Sequence, residues 1–220
     1  MKKMKRKSVV IFDFDGVLTV GGEGLKQEAW DMLVRPWGLA HKQIFQGQRE
    51  KYSGGKGSRY DILRESFRLM SCAKYELIAA AYADGYNTIV NKLLEQSGMP
   101  EGTEAALVTL RTQSRELFVN SATPEVAVQE SVKKFDIAHH FCGIFGQPLT
   151  KEQNLARAQH IARVDHGAML FVGDSEGDWK AAREFQCDFI GVANEWNKWT
   201  ADTVKFPLIK SVAELPALLA

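Results

Sequence analysis

The feature that most constrains this chain is Val9-Val-Ile-Phe12, four consecutive apolar, β-favouring residues that stop abruptly at Asp13. A half-buried strand alternates apolar with polar positions. A run with no polar position needs cover on both faces, as the strands of parallel sheets have. Three later runs have the same character: Leu117-Phe-Val119, Met169-Leu-Phe-Val172 and Phe189-Ile-Gly-Val192. Helical patterns lie between them. Thr123-Pro124 has the form of an N-cap followed by proline at the first helical position, opening a helix to about Phe135. Thr150-Lys-Glu-Gln153 has capping-box spacing and opens a second, to about Val164. A third covers roughly Trp179 to Phe185. Strands alternating with helices of this length predict an α/β fold, a doubly wound (Rossmann-like) parallel sheet.

The stretch from about Gly21 to Gly98 is different. It has helical patterns and no strong strand: roughly Leu25–Val34, His41–Lys51, Ser58–Met70 and Lys74–Gln96. Ser97-Gly-Met-Pro100 breaks the pattern and marks its end. The expected organisation is an α/β core of residues 1–20 and 98–220, with a helical domain, 21–97, inserted after the first strand.

Net charge is +1, with 45% apolar and 25% charged residues. That balance suggests neither a nucleic acid nor an anionic membrane partner. No apolar stretch approaches the ~20 residues of a membrane span. The basic start, Met1 to Lys7, has no cleavage site after it and is expected to be a solvated tail. Cys72, Cys142 and Cys187 are odd in number and far apart, with no CxxC pair, which fits buried, reduced thiols in a cytoplasmic protein.

Four polar clusters follow the predicted strands: Asp13-Phe-Asp15-Gly16, Asn120-Ser121-Ala122-Thr123, Lys151, and Gly173-Asp174-Ser-Glu-Gly-Asp178. The carboxyl ends of the strands are where open α/β sheets bind ligands. Asp13 and Asp15, two apart, project to the same side of a strand tip and repel each other unless a cation is near. Mg2+ favours oxygen ligands, and Asp13, Asp174 and Asp178 could supply them. Gly16 permits a tight turn out of the strand. Ser121, with backbone N–H groups near Ala122, could bind phosphate oxygens at a helix amino end, although serine is also a common N-cap. Lys151 in the first turn of a helix opposes the helix dipole, so helix stability does not account for it.

In order and spacing these clusters resemble the haloacid dehalogenase superfamily. The DxDGxL[TV] motif is matched by Asp13 to Thr19, the Ser/Thr motif by Ser121, the lysine by Lys151, and GDSxxD by Gly173 to Asp178. Phe141 to Pro148 and Asp178 to Arg183 also look like the family's flanking text. The resemblance is closest to phosphoglycolate phosphatases and β-phosphoglucomutases, which carry a helical cap after the first motif.

The resemblance implies an Mg2+-dependent phosphatase acting on a small phosphorylated metabolite, as a monomer or homodimer. Asp13 would be the nucleophile and form an aspartyl-phosphate; Asp15 would be the general acid and base. Asp13, the carbonyl of Asp15, Asp174 and Asp178 would bind Mg2+, and Ser121 and Lys151 the phosphoryl oxygens. Gly16 and Ala122 would contact substrate in the core. In the cap, Lys51-Tyr-Ser-Gly-Gly-Lys56-Gly-Ser-Arg59 is the candidate specificity loop, with Lys56 and Arg59 meeting an anionic group, although a solvated loop reads the same way. The mutases place a histidine shortly after the first motif, whereas this chain has Gly21-Gly-Glu-Gly24 and no histidine before His41. Hydrolysis is therefore expected over sugar-phosphate mutation, and the glycines suggest a hinge for cap opening. A receiver-type signalling domain shares the Asp, Ser/Thr, Lys and Mg2+ chemistry but lacks the cap. A non-catalytic binding protein would not need every chemical group. His139-His140 is expected at the surface or at a helix end.

Overall fold

The computed structural model describes residues 7–52 and 57–220. The chain divides into two compact units: Met1–Glu23 with Ser97–Ala220, and Gly24–Gln96.

The first unit is built on six parallel strands: β1 Val9–Phe12, β2 Glu116–Pro124, β3 Gly143–Gln147, β4 Met169–Gly173, β5 Asp188–Val192 and β6 Leu208–Ile209. Their spatial order is β3-β2-β1-β4-β5-β6. β1 is central, pairing in register with β2 (Phe12 beside Val119) and with β4 (Phe12 beside Val172). All four of its residues are fully buried, which is why it has no polar position. Val10 and Phe12 point into one apolar layer with Leu107, Leu110, Val128 and Val132. Val9 and Ile11 point into the other with Leu155, Ala158, Ala181 and Ala182. The first layer is furnished by α5 Thr103–Thr112 and α6 Glu125–Lys134, the second by α7 Lys151–Ala162 and α8 Glu176–Phe185. The chain leaves β1 toward β2 on one side and returns to β4 on the other. Strand order therefore reverses at β1, and the crevice outside the carboxyl ends of β1 and β4 is the natural ligand position.

Several local expectations change. Thr123-Pro124 does not open α6. β2 runs on through Pro124, its pairing with β3 shifting between Asn120 and Pro124, and the helix starts at Glu125. Thr123 instead turns its backbone N–H to the Ser121 hydroxyl, at 3.0 Å. α8 begins at Glu176, three residues before the expected Trp179, because Ser175 and Asp178 form a capping box. The box at Thr150 and Gln153 is present as its spacing suggests. β3 and α5 were not expected from periodicity: β3 carries two glycines in five residues.

Lys7 is not solvated. Its side chain is 2% exposed and reaches Asp188 at 2.5 Å and the Gly167 carbonyl at 2.6 Å. The rest of the basic start, residues 1–6, lies outside the described residues. Cys142 is exposed, and Cys72 and Cys187 are half-buried, so the expectation of buried thiols fails. His139 is exposed in a short 3-10 turn, but His140 is buried, with no hydrogen-bond partner for Nε2.

The second unit holds most of α1 Gly22–Val34 and α4 Tyr75–Ser97, with α2 Leu39–Lys51 and α3 Arg59–Leu69. It has its own aromatic core, in which Trp30, Phe45, Phe67 and Tyr86 are buried. Ser58 and Asp61 cap α3 reciprocally. Among the described residues no helix is long and apolar enough to cross a membrane.

Arg115 is buried and binds three parts of the first unit. It donates to the carbonyls of Lys7 and Leu219 and, at 3.2 Å, to Gln113 Oε1. Arg115→Leu strands one buried and one partly buried carbonyl. It should lower stability by about 2–4 kcal/mol in a denaturant titration, without moving the metal response described below.

Candidate active site

Asp13 follows the last residue of β1, and its own N–H donates to the Val172 carbonyl at 2.8 Å, continuing the pairing with β4. The Asp13 carboxyl is thereby fixed at the rim where strand order reverses. Its Oδ1 accepts the Phe14 N–H at 2.8 Å, and its Oδ2 lies 3.1 Å from Lys151 Nζ. The chain then bends at Gly16, whose φ is +79°. A Cβ there would lie 2.2 Å from Asp174 Oδ2, so glycine at 16 serves close packing against Asp174 as well as the turn.

Asp174 and Asp178 come from the β4–α8 junction. Asp178 is completely buried. Its Oδ2 accepts from the Ser175 N–H at 3.0 Å and hydroxyl at 2.6 Å, and its Oδ1 from Lys151. Gly173 is what allows α8 so near the strand, since a Cβ there would meet Asp178 Cβ at 2.4 Å. One oxygen from each of Asp13, Asp174 and Asp178 lies within 4.8 Å of the others. Lys151 spans two of these three carboxylates, and the Asn120 side chain holds the Lys151 carbonyl at 2.9 Å.

Asp15 is also buried, and the Thr123 hydroxyl donates to its Oδ2 at 3.3 Å. Ser121 is buried two residues before Thr123 on β2. Its oxygen accepts the Thr123 N–H, and its hydroxyl hydrogen can be offered to another group. Ala122 between them is exposed. Among the cap candidates, Lys56 lies outside the described residues. Arg59 belongs to the helical unit. There its guanidinium sits 5.2 Å over the Tyr86 ring and bonds Asn87 Oδ1.

Reasoning from sequence missed three contributors. Thr123 lies in the second polar cluster, but its local sequence reads as a helix cap. Asn194 donates to Asp174 Oδ2 at 2.9 Å, and Asn197 to the Asp174 carbonyl at 2.9 Å. Both asparagines follow β5 in a loop with no recognisable motif. Their only signal was the position of that loop at the carboxyl end of a strand.

Four carboxylates, Asp13, Asp15, Asp174 and Asp178, share this rim with one ammonium. Burial, and then the neighbouring Asp178, push Asp13 up to about 8, while Lys151 acts in the opposite direction. Burial alone would lower Lys151, but Asp13 and Asp178 outweigh it and hold the ammonium above the usual lysine range. The surplus of negative charge, carried entirely by oxygen donors, suits a hard divalent cation such as Mg2+.

Residues 10–192 match the family described as haloacid dehalogenase-like hydrolase. A phosphoglycolate phosphatase of Neisseria gonorrhoeae is 27% identical over 191 residues, covering 83% of this chain and 78% of the relative. Solved structures share the fold, among them these two. One is a provisionally named hydrolase of this family from Bacillus subtilis bound to magnesium, with a TM-score of 0.71, 17% identity and coverage of 98% and 99% of the two chains. The other, provisionally named a β-phosphoglucomutase, is from Thermotoga maritima, with a TM-score of 0.72, 18% identity and coverage of 96% and 98%.

The shift of Asp13 has a consequence for stability. A carboxyl whose folded-state pKa is raised costs nothing below its unfolded pKa, near 4. Above that the unfolded chain releases the proton first, so stability falls as pH rises toward about 8. Metal-free protein should therefore melt at progressively lower temperature between pH 5 and pH 8. Saturating Mg2+ should raise the melting temperature more at pH 8 than at pH 5.5. Asp13→Asn should melt above the wild type at pH 8 without metal, as differential scanning calorimetry would record.

Proposed function

The chain belongs to the haloacid dehalogenase-like hydrolases, and from that premise we propose that it hydrolyses a small organic phosphate monoester through an aspartyl-phosphate on Asp13. The observation that carries this reading is the meeting of Asp13, Lys151, Asp174 and Asp178 at one rim of the sheet. A nucleophilic carboxylate needs an electropositive partner to approach a phosphate dianion. Lys151 Nζ, 3.1 Å from Asp13 Oδ2, is that partner.

In the first half-reaction an Asp13 oxygen attacks phosphorus and the bond to the leaving oxygen breaks. Lys151 and the hydroxyl hydrogen of Ser121 steady the phosphoryl oxygens as charge redistributes. Asp15 gives a proton to the departing oxygen. In the second half-reaction it takes a proton from the water that attacks phosphorus, releasing phosphate and restoring Asp13. The Thr123 hydroxyl at 3.3 Å orients the Asp15 carboxyl for both tasks. Asp13, Asp174 and the carbonyl of Asp15 would hold Mg2+, which when bound neutralises the repulsion between carboxylate and phosphate. Asp178, whose oxygens engage Lys151 and Ser175, fixes Lys151 and would add its charge to the metal site. Substrate choice is assigned to the helical unit, Arg59 foremost, and phosphoglycolate or a sugar phosphate are the classes to try first.

Purified protein should cleave p-nitrophenyl phosphate with Mg2+ and stop when a chelator is added. Asp13→Asn should reduce turnover to background. Lys151→Ala should cost about 100-fold or more, and Ser121→Ala less, on the scale seen for lost oxyanion donors. A near-normal rate in Asp13→Asn would remove Asp13 from the nucleophile role. Isomerisation of a sugar phosphate with no phosphate released from any monoester would replace hydrolysis by transfer.

A further inference from the structure

The loop after β5 contains none of the residues assigned so far to the chemistry, yet it grips Asp174 twice. Asn194 Nδ2 donates to Asp174 Oδ2 at 2.9 Å, and Asn197 Nδ2 donates to the Asp174 backbone carbonyl at 2.9 Å and to the Val192 carbonyl at 2.8 Å. Asp174 Oδ2 also packs against Gly16, where a Cβ would lie 2.2 Å from it. The Asp174 carboxylate is thus held by an amide and packed against a glycine turn.

The two asparagines also brace each other. Asn194 Oδ1 accepts the N–H groups of Trp196 and Asn197, both at 2.9 Å, and Asn197 Oδ1 accepts those of Asn194 and Trp199, both at 3.1 Å. The loop has separate anchors. The Ala193 N–H bonds the Ile209 carbonyl at 2.8 Å, and Trp199 packs edge-on against Phe189 and Phe206. Their carbonyl oxygens are therefore committed to the loop, while their N–H2 groups reach Asp174.

We propose that Asn194 and Asn197 are positioning residues for Asp174, so that a loop outside the four signature clusters sets part of the affinity of the centre for its divalent cation. This rests on the metal-site reading above. A metal carboxylate that must find its own rotamer pays conformational entropy on binding; one held by a neutral donor does not, and outer partners of this kind change metal affinity by about 10–100-fold. A neutral amide suits the task, since a lysine in its place would compete with the cation.

The test is calorimetric titration of the full chain with MgCl2, alongside melting of the metal-free protein. Asn194→Ser and Asn197→Ser keep an oxygen to accept the loop N–H groups but are too short to reach Asp174. Each should weaken Mg2+ binding by about 10-fold; Asn194→Ser should do so at an unchanged metal-free melting temperature, whereas Asn197→Ser, which also frees the Val192 carbonyl, should lower it. Trp199→Leu loosens the loop's apolar anchor without touching Asp174; it should lower the metal-free melting temperature and leave Mg2+ affinity unchanged. Wild-type affinity in both serine variants overturns the proposal, as does a Trp199→Leu variant that weakens Mg2+ as much as they do. A wild-type chain that binds no Mg2+ defeats the metal-site reading itself, an outcome the variants cannot mimic.

Discussion

The ammonium of Lys151 lies between the carboxylates of Asp13 and Asp178, and the site depends on that contact. Four acidic side chains crowded at one strand rim would otherwise repel one another and the phosphate they are proposed to bind. A single lysine does not balance four carboxylates, and the surplus of oxygen donors suits a divalent cation as well. The fold makes the crowding possible. β1 and β4 are hydrogen-bonded neighbours whose ends deliver Asp13 and Asp174 side by side. α7 and α8 begin close behind them, supplying Lys151 and Asp178 from their first turns.

Each of these placements has a cost that ordinary folding would avoid. A cation in the first turn of α7 opposes the helix dipole. Asp178 is fully buried and is tolerable because Ser175 and Lys151 engage both of its oxygens. Asp13 sits among like charges. The stability that offsets these terms comes from the two apolar layers on either side of β1, far larger than any single polar contact. Crowded, buried charges at the rim of a rigid sheet are the arrangement expected of a catalytic centre.

Much of this was legible in the sequence, for physical reasons. Val9 to Phe12 admits no polar residue because both faces of β1 are covered, so the central strand announces itself. Asp13 and Asp174 stand out because nothing structural asks for a carboxylate directly after such a run. The four helices of the second unit were readable because their apolar stripes keep helical period and their ends carry breaks. What escaped depends on tertiary contact. Lys7 resembles a tail residue until Asp188 is beside it. Thr123-Pro124 reads as a helix start on local preference alone, but pairing with β3 extends the strand and turns Thr123 toward Asp15. Asn194 and Asn197 are ordinary loop residues in one dimension and acquire meaning only from the distance to Asp174.

The central claim is that a phosphoryl group passes through the Asp13 carboxylate. Borohydride reduction of enzyme quenched during turnover of a slowly hydrolysed monoester converts any aspartyl-phosphate to homoserine, and peptide mass spectrometry then locates it. The account predicts homoserine at position 13 alone, and only when substrate and Mg2+ were both present. Intact aspartate at position 13 under turnover, or a phosphorylated residue elsewhere in the chain, would contradict it.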